Sequence, residues 1–297
     1  MKWNNVFCLI CIFLCATPLI NRTFADEKVF EKADALFASG NYFEASIEYE
    51  RVLFLSESSK IRTIANLQKV QALKQLGEFG KARNDLQRSF HFRGDDSLRF
   101  EVLYQYAFCL YMDNRSDEAY ATLLQLKHAF GHLPLQRYFL LRAMVLADLQ
   151  QWEDLRTHLE SWITMYLDDD AFLQSTFERY DNILSDFEKV LSIDKQRARL
   201  RSTFVPGLGQ IYAGEVGWGL LNGFSQLASL AAFGVMAYNG YYIASFFAGL
   251  GPWQSFYFGG INHAGELAAI NKNSRLDELQ TAMSVFLLAV DAYLADS

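Results

Sequence analysis

Fifty consecutive residues, Val216 to Gly265, contain no Asp, Glu, Lys or Arg. A helix needs about 20 apolar residues to cross a hydrocarbon core, and this run holds two such stretches. The first is VGWGLLNGFSQLASLAAFGVMAY. Asn239-Gly240 follows as a turn signal, and YYIASFFAGLGPWQSFYFGGI returns. The expectation is an antiparallel transmembrane hairpin over residues 202–265, with membrane lipid around it. A pair of helices buried in a soluble core is the competing arrangement, and the lack of charge on every face favours the membrane. Small residues recur at four-residue steps, Gly219 and Gly223, Ser225 and Ser229, Ala244 and Ala248, a spacing that lets helices approach closely in lipid. Gly251-Pro252 predicts a kink in the second span. Asn222, Gln226 and Gln254 need partners inside the hairpin or between copies, so a homo-oligomer through the hairpin is a possible outcome.

The N-terminus reads as a secretory signal over residues 1–25. Lys2 is the positive region, Val6 to Leu14 the short apolar core, and Thr23-Phe24-Ala25 the small-residue cleavage site before Asp26. An uncleaved anchor is the alternative. Cleavage removes Cys8, Cys11 and Cys15 and leaves Cys109, which cannot form an intramolecular disulfide and sits on an apolar helical pattern. It also removes Lys2 and Arg22, leaving 25 basic against 34 acidic residues. No basic tract with interleaved aromatics occurs, so no nucleic-acid partner is expected.

Between these ends the chain repeats. ADALFASGNYFEASIEYERVL, VQALKQLGEFGKARNDLQRS, AFCLYMDNRSDEAYATLLQL and AMVLADLQQWEDLRTHLESW follow one template. A first small or aliphatic position falls at Ala33, Val70, Ala107 and Ala143, and a second at Ala45, Ala82, Ala119 and Leu155. The turn position is Gly40, Gly77, Asn114 and Gln150. Tyr42, Phe79 and Trp152 follow it, with Ser116 breaking the series. Self-similarity at a fixed period marks a helical stack. These residues resemble the tetratricopeptide repeat over about residues 26–167, in four units. The period is longer than the usual one, which predicts extended loops at Ser56 to Lys60 and His91 to Ser97.

Carried over from that resemblance, the positions that face the groove are Phe30, Asp34 and Phe37; Leu67, Gln71 and Lys74; Tyr104, Phe108 and Tyr111; and Arg137, Leu140 and Met144. Such a groove implies a protein or peptide partner. The lining is aromatic and apolar with few charges, which suits an apolar helix or an extended hydrophobic peptide. Packing of these side chains between the repeats, or filling of the groove by the chain itself, is the open alternative.

Residues 168–201 read as a closing helix and basic linker. Asp170 is the expected N-cap, with Phe172, Phe177, Ile183, Leu184, Phe187 and Leu191 as the apolar stripe. Lys195, Arg197, Arg199 and Arg201 form a basic collar before the hairpin. The sequence between collar and hairpin, RSTFVPGLGQIYAGEVGWG, has the glycine spacing of a phosphate loop. It lacks the required Lys and Ser/Thr, offering Glu215 and Val216 instead. A dinucleotide fingerprint fails as well, because Tyr212 stands where the third glycine would fall. His128 and His132 are four apart, but Gly131 and Pro134 interrupt the helix and nothing nearby completes a zinc set. No catalytic set is legible. The expectation is a protein that is not an enzyme and carries no cofactor and no metal.

Pro206, Gly207, Gly209, Gln210, Tyr212 and Gly214, with Tyr257, Gly259, Gly260 and Ala264 after the second span, resemble an uncharacterised bacterial two-span membrane domain. Its signature is Pro-Gly-x-Gly-Gln-x-Tyr-x-Gly. The resemblance implies a bacterial envelope protein and brings no activity. In residues 266–297, Leu276, Leu279, Met283, Phe286, Val290 and Tyr293 form the stripe of an amphipathic C-terminal helix. Asp291 opposes a third span.

The expected fold is all-α: a tetratricopeptide-like α-solenoid, a C-terminal transmembrane helical hairpin and an amphipathic tail helix. The expected location is the bacterial inner membrane with the repeats in the periplasm. That topology sets the collar against the positive-inside tendency. The expected function is a membrane-anchored scaffold whose groove binds a partner in the cell envelope. The alternative is a membrane subunit of an envelope transport or secretion assembly, with the hairpin as the working part.

Overall fold

The computed structural model describes residues 24–131, 136–167 and 169–296, and among these no strand occurs. The signal-peptide reading falls on residues 1–23, outside the described residues, apart from its last two positions at the start of the first helix. Two compact units emerge, one of residues up to Leu173 together with Ser284 onward, the other of Gln174–Met283.

The first unit opens with eight helices: α1 (Phe24–Ala38), α2 (Tyr42–Leu55), α3 (Ser59–Gln75), α4 (Phe79–Leu86), α5 (Asp96–Met112), α6 (Ser116–Phe130), α7 (Gln136–Asp148) and α8 (Trp152–Tyr166). They pair off as α1–α2, α3–α4, α5–α6 and α7–α8 through turns at Gly40, Gly77, Asn114 and Gln150, all with positive φ. Gly77 N–H bonds to the Lys74 carbonyl and Glu78 N–H to that of Leu73. This double bond with a left-handed residue closes a helix and satisfies its last carbonyls. Both small-residue registers are buried throughout: Ala33, Val70, Ala107 and Ala143, and Ala45, Ala82, Ala119 and Leu155. Small side chains there let each helix sit close to its neighbour.

The loops differ from the expectation. Ser58 already caps α3, accepting from Ile61 N–H, so the first loop is only Ser56–Ser58. The second keeps its length, because a short 3-10 turn at Gln87–Ser89 ends the pair and α5 begins only at Asp96, capped by Asp95.

Helix α9 (Asp170–Leu191) leaves the first unit and enters the second. Its cap is Asp169, whose carboxylate accepts from the Ala171 and Phe172 N–H groups, and not Asp170, which is already helical. The expected stripe holds at Phe187, while Leu191 is exposed and Tyr180 and Val190 are buried in its place.

The second unit continues with α10 (Lys195–Phe204), the short α11 (Leu208–Tyr212), α12 (Val216–Tyr238), α13 (Tyr242–Ser245) and α14 (Gly251–Asp296). A π turn at Phe246–Leu250 joins α13 to α14. It lies directly before Gly251-Pro252, so one widened turn admits the proline and the helix does not break. The tail is therefore not a separate helix. After Pro252 no residue stops the helix, and α14 runs through the boundary expected at residue 265. Its last part, from Ser284, belongs to the first unit, where Phe286, Leu287, Val290 and Leu294 are buried and Tyr293 stacks on Phe172 at 4.0 Å.

Among the described residues, two helices are long and apolar enough to cross a membrane, α12 and the continuous helix from Tyr242. Large apolar side chains on this hairpin face outward: Phe224 is 71% exposed, Leu227 69% and Phe247 73%. An apolar surface of this extent fits lipid better than water.

Candidate functional site

In the first unit, the twelve groove positions are turned into the protein. Phe30, Leu67, Gln71, Lys74, Tyr104, Phe108, Leu140 and Met144 are buried. Asp34, Phe37, Tyr111 and Arg137 are half-buried. Asp34 accepts from the Tyr49 hydroxyl at 2.7 Å, and Phe37 packs edge-on against Tyr42. Burial and the nearby Asp148 charge push the Tyr111 phenol well above its usual range.

A polar ladder crosses this lining. Lys74 Nζ donates to Gln71 Oε1 at 3.0 Å and to Gln105 Oε1 at 2.8 Å. Gln105 Nε2 donates to Glu101 Oε1 at 2.6 Å, and Arg137 Nη2 donates to Glu101 Oε2 at 2.8 Å. The cations also lie on rings, Lys74 over Phe108 at 4.4 Å and Arg137 over Tyr104 at 5.0 Å. The first helices of three successive pairs, α3, α5 and α7, are thus tied together by two cations, two amides and one carboxylate. Sequence reading missed Glu101 and Gln105. Their signal was present, since they sit one helical turn apart in the otherwise apolar and aromatic run from Phe100 to Met112.

In the second unit, the motif residues converge on one clasp. Pro206 follows the end of α10 and is exposed. Gly207 has φ +88°, and a Cβ there would lie 2.0 Å from the Gly219 carbonyl. Gly209 donates its N–H to Ser202 Oγ, and a Cβ would meet the Ala198 carbonyl at 2.0 Å. Gln210 is buried, accepts from Ser202 Oγ at 3.0 Å and donates to the Gly260 carbonyl at 2.9 Å. The Tyr212 hydroxyl accepts from Asp194 N–H and donates to the Ser192 carbonyl, with the Arg201 guanidinium 4.0 Å above the ring. Gly214 takes φ +94° at the turn into α12. From α14, Tyr257 donates to the Thr203 carbonyl, Asn271 to the Ala213 carbonyl and Glu215, and Lys272 to the Leu191 and Ile193 carbonyls at the end of α9. Gly207, Gly209, Gln210, Tyr212, Gly214 and Tyr257 thus each answer a geometric need, whereas a Cβ on Gly259 would meet nothing within 4 Å. Asn271 and Lys272 had no reading in the sequence, because their partners are backbone carbonyls 58 to 81 positions away and the Glu215 carboxylate 56 positions away.

The small-residue spacing works differently from the expectation. Gly219 and Gly223 face Gly207 and Pro206 and not the second span. Ala244 and Ala248 are exposed. One residue on, Ser245 and Gly249 are buried, and a Cβ on Gly249 would meet Phe233 at 2.5 Å.

Beside the clasp, α11, α12 and α14 line an open cavity of about 390 Å³, bordered by Gln210, Trp218, Asn222, Ser225, Gly259 and His263 among others. Gln226 Nε2 donates to Asn222 Oδ1 at 3.3 Å and to the Phe256 carbonyl at 3.4 Å. Gln254 is exposed. Among the described residues no group of three His, Cys, Asp or Glu side chains could hold a metal ion. His132 lies outside them.

No protein-family model, no curated protein and no solved structure matches the chain.

Proposed function

We propose that the protein is a membrane-anchored scaffold of the bacterial envelope: a cleaved secretory signal, a periplasmic tetratricopeptide-like solenoid, and a hairpin held in the inner membrane. The observation that carries the reading is the charge-free run from Val216 to Gly265, α12 through the first part of α14, with its large apolar side chains turned outward. The repeated helix pairs support a stack that offers surface to a protein or peptide and holds no catalytic set. The buried ladder from Gln71 to Arg137 sets a condition on this reading. A partner entering at the twelve lining positions has to displace internal bonds, so Phe37 and Tyr111, at the half-buried rim, are its points of entry.

The test is topology. Single cysteines replace Glu57, Asn239 and Asn273 in a chain otherwise free of cysteine, and a membrane-impermeant thiol reagent is applied to intact and opened cells. Glu57 and Asn273 are expected to label from the periplasmic side and Asn239 from the other. Labelling of all three from one side, or release of the protein by alkaline carbonate, removes the hairpin from the bilayer and ends the reading.

A second reading keeps the same topology and makes the hairpin the working part of a transport or secretion assembly. The cavity beside the clasp, where Gln210, Asn222 and His263 interrupt a mostly apolar lining, favours it. Substitutions at Gln210, Asn222 and Gln226 then abolish function, whereas Phe37 and Tyr111 substitutions abolish it under the scaffold reading.

A further inference from the structure

Helix α10 lies along the hairpin, and its contacts fix how deep each end sits. Just before it, Lys272 holds the Leu191 and Ile193 carbonyls, at a level beyond the end of the charge-free run. Midway, Arg199 packs against Gly265, the last residue of that run, where a Cβ would meet the Arg199 Nε at 2.6 Å. Near its end, the Thr203 carbonyl accepts from Tyr257, inside the run. The turn that follows goes with it, since a Cβ on Gly223 would lie 3.2 Å from the Pro206 carbonyl. Gly223 is seven residues past Val216, where α12 starts. At about 1.5 Å per residue that is about 10 Å into the apolar span. Helix α10 therefore descends beside the hairpin, from outside the charge-free run to well within it.

The two faces of α10 differ. Ala198 and Ser202, one turn apart, are buried, and Gly209 packs on both. The opposite face carries Arg197, Leu200, Arg201 and Phe204, at the i, i+3, i+4 and i+7 positions that share one side of a helix. All four are exposed, Leu200 by 58% and Phe204 by 77%. From its outer to its deeper end this face passes from cation to aromatic. No Asp or Glu occurs between Lys195 and Gly214. Among the described residues no carboxylate pairs with Arg197, Arg199 or Arg201. The inner of the two exposed cations is held in place. Tyr212 spends its hydroxyl on the Asp194 N–H and the Ser192 carbonyl, and this fixes the ring that carries the Arg201 guanidinium at 4.0 Å. A guanidinium on a ring face keeps N–H groups at its edge for an acceptor, and its planar fork matches the oxygens of a phosphate.

We infer that the outer face of α10 holds an anionic glycerophospholipid, with the phosphate between Arg197 and Arg201 and the acyl chains along Leu200 and Phe204. Two observations select this occupant. The deep end of the face continues into the hairpin's own apolar surface: Pro206 abuts Gly223, and the next residue, Phe224, is 71% exposed. The outer end carries positive charge alone, at the level where the charge-free run stops, and anionic phosphates lie at such a boundary. The inference rests on the hairpin lying in the membrane.

The experiment uses the full chain in mild detergent, exchanged with equal amounts of dioleoyl phosphatidylglycerol and dioleoyl phosphatidylcholine and read by native mass spectrometry. The anionic lipid should be retained on the order of 10-fold over the zwitterionic one, the scale of one or two basic groups near lipid phosphate. Arg197→Gln with Arg201→Gln should bring the ratio close to one. Arg62→Gln with Arg93→Gln, which removes the same charge from exposed positions of the first unit, should leave it unchanged. A bimane label on Phe204→Cys, in a chain otherwise free of cysteine and placed in vesicles, should be quenched by lipid carrying a nitroxide on its acyl chain. No preference in the native chain, equal loss in both double variants, or displacement of the lipid by inorganic phosphate at matched ionic strength overturns the inference. So does disulfide linking of two chains through the residue 204 cysteine, which puts a second copy on this face. Flotation with vesicles separates the two failures. A chain that does not float sinks the membrane reading itself, and one that floats without dependence on Arg197 and Arg201 sinks only the lipid site.

Discussion

The turn at Gly77, inside the helical stack, and the turn at Gly240, at the tip of the apolar hairpin, are the same object in different surroundings. At Gly40, Gly77, Asn114, Gln150, Gly214 and Gly240, φ is positive and the residue's N–H bonds to the carbonyl three positions back. The next N–H bonds five positions back, and its carbonyl then accepts from the N–H four positions on. The helix that follows donates there from Ala45, Ala82, Ala119, Leu155, Gly219 and Ser245, all buried. What differs is the far side of each helix. In the stack, further helices cover it, as Leu123 and Leu126 show; in the hairpin, Phe224 and Leu227 face outward. Backbone closure is therefore indifferent to solvent, and the side chains on the opposite face decide which medium the unit needs.

The largest difference should appear when a methyl group is added to a glycine in each region. Gly77→Ala strains a positive φ but meets no atom within 4 Å. It should cost about 1 kcal/mol. Gly209→Ala drives a methyl into the Ala198 carbonyl and Ser202 Oγ. Both obstacles belong to the clasp, so the cost should be about 3 kcal/mol or more. Thermal unfolding of the detergent-solubilised chain measures both. If Gly209→Ala is no worse than Gly77→Ala, the clasp is looser than the stack and the comparison breaks.

Acid should separate groups within the first unit. His158 is buried among Phe139 and Trp162, and burial holds its imidazole down at about 4. The unfolded chain takes up a proton near pH 6.5 and the folded one does not, so this stability is present above 6.5 and lost as pH falls towards 4. The limit is about 3 kcal/mol. Asp291 runs the other way. Burial raises its carboxyl to about 6, so its contribution is present below the ordinary carboxylate range and lost as pH rises through 6. The two oppose one another, which flattens the native profile. In His158→Gln, stability should rise as pH falls from 6 to 4; in Asp291→Asn it should fall over 6.5 to 4. Hydrogen exchange of the α8 amides reads both slopes, and a shared sign in the two variants defeats the assignment.

Legibility in the sequence followed the range of the interactions. Helix type, both small-residue registers and the four turn positions were readable, because each depends on residues within one or two turns. The pair of long apolar helices was readable because exclusion of charge is a property of the whole run. The clasp was readable as a motif and not as a geometry: Gln210 looked like part of a loop, and its partner is a backbone carbonyl 50 residues on. The twelve expected groove positions were legible as a set of inward helix faces. Its enclosure was not, since it depends on Lys74 and Arg137 finding Gln105 and Glu101 on a neighbouring helix. The cap at Asp169 and the register of Ser245 and Gly249 each differed by one residue, the scale at which local preferences for adjacent like residues are degenerate.

The smallest effect tests whether the six turns are one device. Asn114 and Gln150 hold φ +57° and +56° with side chains that L residues seldom carry into that region. The other four positions are glycine. Asn tolerates the left-handed conformation better than Gln, because its short amide can bond locally. Gln150→Gly should therefore stabilise the first unit by about 1 kcal/mol, and Asn114→Gly by less. The loss of unfolded-state restriction that glycine brings works against both, so the ordering of the two carries more information than either value. Gln150 above Asn114 confirms that left-handed strain is the shared quantity. The reverse order means that the side chain of Gln150 contributes contacts that the hydrogen-bond pattern does not contain.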